Sequence, residues 1–136
     1  MSVDFTGIWT ANLRKSKIRG PMPRAITVTI VHSNPELQEE IVVTKLDGNE
    51  ERVVFKCRTD GEPGNSLLNG RPIDGSASWE GRELVIKSRM RSGARELNFR
   101  DFWSLSADRK SLSMEHRDDD LAGQITILDR AGQDGS

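Results

Sequence analysis

Apolar and polar residues alternate with a period of two along almost the whole chain, and no window of about a dozen residues carries an apolar stripe at the helical period of ~3.6. This pattern predicts strands at Phe5–Leu13, Ala25–His32, Leu37–Leu46, Arg52–Thr59, a short piece at Leu67–Leu68, Ala77–Glu80, Glu83–Arg91, Arg95–Ser106, Ser111–Arg117 and Gln124–Arg130. Helix is expected to amount to a turn or two at most. Turn chemistry punctuates the strands at Asn34-Pro35, Asp47-Gly48-Asn49, Asp60-Gly61 with Pro63-Gly64, Asn69-Gly70, Asp74-Gly75, Gly81-Arg82, Ser92-Gly93, Asp108-Arg109 and Ala122-Gly123. Short strands joined by hairpin-length loops, with no long crossover, predict an all-β antiparallel up-and-down barrel of about eight to ten strands in preference to a sandwich.

Reading one face of every strand gives a common interior. It holds Trp9, Ala11 and Leu13 from the first strand, then Ile26, Val28, Ile30, Ile41 and Val43. Val53, Phe55, Cys57, Ala77, Trp79, Leu84, Ile86 and Met90 follow from the middle strands. Leu97, Phe99, Trp103, Leu105, Leu112, Met114, Ile125 and Ile127 complete it. The opposite face, with Thr27, Thr29, Glu40, Lys56, Arg58, Lys87, Arg89, Arg100 and Glu115, is wet, as a barrel exterior facing water requires.

A length of 136 residues sets one domain: the barrel over residues 1–130 and a small, polar tail over 131–136 expected to fray. Apolar residues are only 35% and charged residues 30% of the chain, so the buried set must be thin. A formal charge of −1 argues against a whole-molecule pull toward nucleic acid or an anionic membrane. Apolar runs are too short for a transmembrane helix or a leader's apolar core, so the chain reads as soluble and not membrane-inserted. Its compartment stays open, cytoplasmic as the chain stands or exported if a leader has been removed. The lone Cys57 shares the parity of Val53 and Phe55 and is read as a buried, inert thiol.

Phe5-Thr6-Gly7-Ile8-Trp9 resembles the Gly-x-Trp signature that opens lipocalins and, more loosely, fatty-acid-binding proteins. The stretch Asn12-Leu13-Arg14-Lys15-Ser16-Lys17 with Gly20-Pro21-Met22-Pro23 is similar to bacterial lipocalin-like (calycin-type) domains of unassigned function. The resemblance implies that Trp9 closes the narrow end of the barrel against an Arg near the end of the last strand, Arg130 first and Arg117 second. The sequence departs from fatty-acid-binding proteins in that 14–24 is too short and Pro-rich for their two helices, and it lacks the disulfide of secreted lipocalins.

Several polar side chains fall on the inward face: His32, Lys45, Thr59, Ser88, Asp101 and His116. Each needs a partner, a water or a ligand, because a buried unpaired polar group is costly. The hairpin turning at Asp108-Arg109 keeps its apolar residues on one face only if Leu105 faces Leu112 and Trp103 faces Met114, which sets Asp101 opposite His116. That pair reads as a self-satisfied structural hydrogen bond, a polar anchor for a ligand, or an acid–base dyad. No third member of a catalytic triad accompanies it, and Ser88 lacks a Gly-x-Ser-x-Gly turn.

No metal or cofactor is implied: the Asp118-Asp119-Asp120 run lacks a calcium-loop pattern, and His32 and His116 lie far apart in chain order. Arg14, Lys15, Lys17, Arg19 and Arg24 form a basic loop, read either as a solvated surface or as a rim drawing in anionic ligands. Without interleaved aromatics it does not suggest nucleic-acid binding. The expected function is binding of a small hydrophobic molecule, lipid-like or aromatic, in a lumen lined by Trp9, Phe55, Trp79, Ser88, Met90, Phe99, Asp101, Trp103, Met114 and His116. The alternatives are a filled barrel acting as a protein-interaction module, marked by an exposed patch around Ile8, Val54, Val85 and Phe102, and third an enzyme using Asp101 and His116.

Overall fold

The computed structural model describes residues 3–61, 66–118 and 123–131. Ten strands build it: β1 Gly7–Ala11, β2 Ala25–Ser33, β3 Glu36–Thr44, β4 Glu50–Arg58, β5 Ser66–Leu68, β6 Arg71–Glu80, β7 Glu83–Ser92, β8 Arg95–Leu105, β9 Ser111–Asp118 and β10 Gln124–Arg130. Each pairs antiparallel with the next in sequence, and β10 returns to pair with β1, so the sheet closes into an up-and-down barrel. Closure leaves neither β1 nor β10 as an edge strand, with the short β5 bridging β4 and β6 over a few residues, and period-two alternation gives one interior and one wet exterior. Among the described residues there is no helix, and so none long and apolar enough to cross a membrane. Asp119 and Asp120 of the acidic run, the Pro63-Gly64 turn and positions 132–136 of the tail lie outside the described residues.

The β8–β9 hairpin adopts the expected register, with Leu105 opposite Leu112, Trp103 opposite Met114 and Asp101 opposite His116. Three sequence-based expectations are corrected. In β10 the inward set is Thr126 and Leu128, not Ile125 and Ile127. Leu128 stands opposite Ala11 and Leu112, and Thr126 opposite Met114. Seating Arg130 opposite Trp9 fixes this parity, and it turns both isoleucines to the other face.

Lys45 lies beyond the end of β3 and is exposed, paired at 2.5 Å with Glu51. The chain leaves the strand there to turn, with the Gly48 amide donating to the Lys45 carbonyl. Asp74-Gly75, finally, is no turn but lies inside a longer β6. A Cβ on Gly75 would meet the Lys87 carbonyl at 3.0 Å and Ser66 Oγ at 3.2 Å. The missing side chain thus permits a close approach inside the sheet, a role that looks like turn chemistry in sequence.

The barrel divides into two ends. One is ringed by the β2–β3, β6–β7 and β8–β9 turns and plugged by the segment ahead of β1. Phe5, which the alternation assigned to the first strand, lies outside β1 and is fully buried as that plug. Its ring stacks on Trp79 at 5.7 Å and on His32 at 5.6 Å, and meets Trp103 edge-on at 5.5 Å. Trp9, Leu84, Leu112 and Leu128 are likewise at zero exposure.

Polar groups at this end are paired internally. The Phe5 amide donates to His32 Nδ1 at 3.2 Å, so His32 carries its proton on Nε2, which lies 2.6 Å from Asn34 Oδ1. Thr59 Oγ1 donates to the same Asn34 oxygen at 2.8 Å. Trp9 Nε1 donates to the Phe5 carbonyl at 3.0 Å. His32 and Thr59 are therefore inward polar residues with structural partners, as their burial requires.

Over Trp9 lies the Arg130 guanidinium, 4.2 Å from the ring centroid, donating to the Thr6 and Arg109 carbonyls. A Cβ on Gly7 would stand 2.7 Å from Arg130 Nη1, and Gly7 holds φ +151°. The glycine two residues before the tryptophan thus has a physical cause: it leaves room for the cation on the indole face. Arg117 instead covers Phe102 on the outside, at 5.1 Å.

Candidate functional site

Toward the other end, where β1–β2, β3–β4, β5–β6, β7–β8 and β9–β10 connect, the side chains no longer meet across the lumen. A cavity of about 350 Å³ begins above Trp103. Phe55, Ile41 and Val53 form one wall, Ile86, Ser88 and Met90 another, and Phe99, Met114, Gln124 and Thr126 face them. Of the residues proposed from sequence, Phe55, Ser88, Met90, Phe99, Asp101, Trp103, Met114 and His116 border this space. Trp9 and Trp79 do not: they are committed to the plug, one beneath Arg130 and the other stacked on Phe5.

Asp101 and His116 project into the cavity from adjacent strands, with His116 Nδ1 2.7 Å from Asp101 Oδ1. The hydrogen bond to Asp101 raises the imidazole above its ordinary pKa, and burial partly opposes it. Phe99 stacks on the imidazole at 5.4 Å. The two side chains are 28% and 40% exposed, so the pair is reached by solvent through the open end. At the rim, Arg19 from the basic loop pairs with Asp118 at 3.4 Å, and Arg24 donates to the Leu46 carbonyl. Those two cations of the loop are thus engaged with the protein.

One charged residue of this site escaped the reading of the sequence, as did the lining residues Leu68, Ile73, Gln124 and Thr126. Glu39 on β3 lines the cavity yet is only 6% exposed, flanked on the inner face by Ile30 and Phe55. Burial, with the Asp101 carboxylate adding to it, pushes its carboxyl up to about 8. Among the described residues its oxygens have no hydrogen-bond or ion-pair partner, and none of the sealed side-chain polar atoms is unpaired. The carboxyl therefore faces the open space of the cavity. The signal was present in the alternation, since Leu37, Ile41 and Val43 share its parity; a charged residue flanked by Gln38 and Glu40 hid it.

The same field acts on Cys57, whose thiol is pushed up to about 12 by burial and by Glu39, so it is inert. Among the described residues no group of three His, Cys, Asp or Glu is placed to hold a metal ion. Of the four exterior positions expected of an interaction module, Ile8 is 53% exposed and Val54 half-buried, while Val85 is buried and Phe102 lies under Arg117. Fold and site together define a closed ten-stranded antiparallel barrel, packed at one end and hollow at the other. No protein-family model matches the chain, and no curated protein matches it either.

Proposed function

We propose that the protein is a barrel of the lipocalin and fatty-acid-binding-protein kind that takes up one small, largely apolar molecule in the hollow half of its lumen. The observation that carries this reading is the cavity itself. Its volume of about 350 Å³ falls at the small end of the roughly 300–1,000 Å³ of small-molecule sites. Its walls are mostly aliphatic and aromatic, with a few convergent polar groups at Glu39, Asp101 and His116, the usual division between affinity and orientation. The packing of Gly7, Trp9 and Arg130 supports the kinship, because it gives the Gly-x-Trp signature the end-closing role the resemblance implies.

Native mass spectrometry of the full chain incubated with decanol, retinol or 1-aminoanthracene tests the reading. A one-to-one adduct with at least one probe is expected. Bare chain with every probe would overturn it.

A further inference from the structure

The cavity's two carboxyl groups, Glu39 and Asp101, set its character. β3 and β8 stand on opposite sides of the closed ring, five strands apart in either direction. Glu39 and Asp101 therefore look at each other across the lumen. Among the described residues no Lys or Arg lines the space, and the single imidazole is already bonded to Asp101. A carboxylate ligand would bring a third acid to this wall and meet no free cation. A ligand with an ammonium group would instead meet two acids, one of which has no partner.

We infer that the molecule bound here is an amphiphilic amine, its apolar body against Phe55, Phe99 and Met114 and its ammonium group seated on the Glu39 carboxyl. The inference rests on the cavity-binding reading and names the ligand class for it. An unpaired acid set in an apolar wall and open to the cavity is costly to ionise and gains most from a cation brought to it.

The surroundings of Glu39 are complete enough to fix the pH behaviour. Asp101 on β8 and His116 on β9 face it across the lumen, with Arg19 and Asp118 at the rim. Cys57 on β4 lies below, while Ser88, Gln124 and Thr126 are neutral. On the neighbouring inner faces Ile30, Leu68 and Ile73 stand near it, and the one titratable group there, His32 on β2, lies one inward position toward the plug and is held by Phe5 and Asn34. In the empty barrel burial and Asp101 keep Glu39 protonated at neutral pH. Docking of an ammonium ion restores the carboxylate, and the carboxyl proton leaves to solvent.

Calorimetry of the full chain near neutral pH, with octylamine, octanol and octanoate in two buffers of different ionisation enthalpy, tests this directly. Octylamine is expected to bind at least about tenfold more tightly than octanol, the usual worth of a charge-assisted bond, with octanoate weakest. Its binding should release close to one proton. Glu39→Gln should bring octylamine to the level of octanol and abolish the proton release. Should that variant not fold, the proton count in the unaltered chain decides: octylamine bound without release overturns the inference. Octanol or octanoate binding as tightly as octylamine also overturns it and leaves the cavity reading standing. Binding of none of the three would remove both.

Discussion

The two ends of this barrel are built from the same ten strands and the same alternation, yet they do opposite things. At the plugged end Phe5, Trp79 and Trp103 meet within stacking or edge contact, Trp9 donates to the Phe5 carbonyl, and His32 has its ring nitrogens assigned to Phe5 and Asn34. At the hollow end Phe55, Phe99, Met90 and Met114 line the cavity, and Glu39 has no hydrogen-bond or ion-pair partner among the described residues. Stability is thus concentrated at one end and unspent polar capacity at the other. A fold that only needed to be stable would have an apolar side chain at Glu39.

Truncation at the two ends should separate them most. Phe5→Ala removes the ring on which His32, Trp79 and Trp103 pack and should cost about 3–5 kcal/mol. Phe99→Ala, whose ring already borders empty space, should cost about 1–2 kcal/mol, since fewer contacts are lost. Urea unfolding of both variants measures the difference. Equal losses would erase the distinction between a packed and a hollow end.

The next contrast is in pH. Glu39 binds its proton more tightly in the fold, up to about 8, than in the unfolded chain at 4.5, so the native state holds more protons in that window and stability falls as pH rises through it. His116, raised by Asp101, acts in the same direction: its contribution is full below the ordinary histidine value of 6.5 and is lost as pH rises through the folded value. The decline should amount to on the order of a few kcal/mol. Glu39→Gln should flatten most of it, leaving the smaller histidine part. A profile unchanged by that substitution would mean Glu39 does not ionise as its burial requires.

A smaller effect belongs to the closing contact of the plugged end. Gly7→Ala places a Cβ 2.7 Å from Arg130 Nη1 and must displace the guanidinium from Trp9. A loss of about 1–2 kcal/mol is expected from the cation–π contact and the strained φ together. Arg130→Ala should lose a similar amount, and the double variant little more, because both remove one interaction.

How legible this was in the sequence follows from the same division. Strand periodicity, the β8–β9 register and the Asp101–His116 pair could be read because a one-residue slip would expose Trp103 and Leu112 together. The seat of Arg130 over Trp9 came from the resemblance. What could not be read was decided by neighbours rather than by local pattern. Ile125 and Ile127 look like core residues until pairing with both β1 and β9 turns Leu128 inward. Trp9 and Trp79 look like cavity residues until Phe5, which precedes β1, fills the space between them. Glu39 was overlooked because charge argues for the surface more strongly than parity argues against it.

Ser88 on β7 looks into the hollow end, away from the plug, and offers the most direct measurement of which half binds. The dissociation constant of 1-aminoanthracene is to be compared between the unaltered chain and Ser88→Phe, whose added ring fills part of the cavity. One saturable site is predicted in the unaltered chain, weakened at least about tenfold in the variant, with stability unchanged or raised. Binding that persists at full strength in Ser88→Phe, or that never saturates, would contradict the assignment of the hollow half as the binding site.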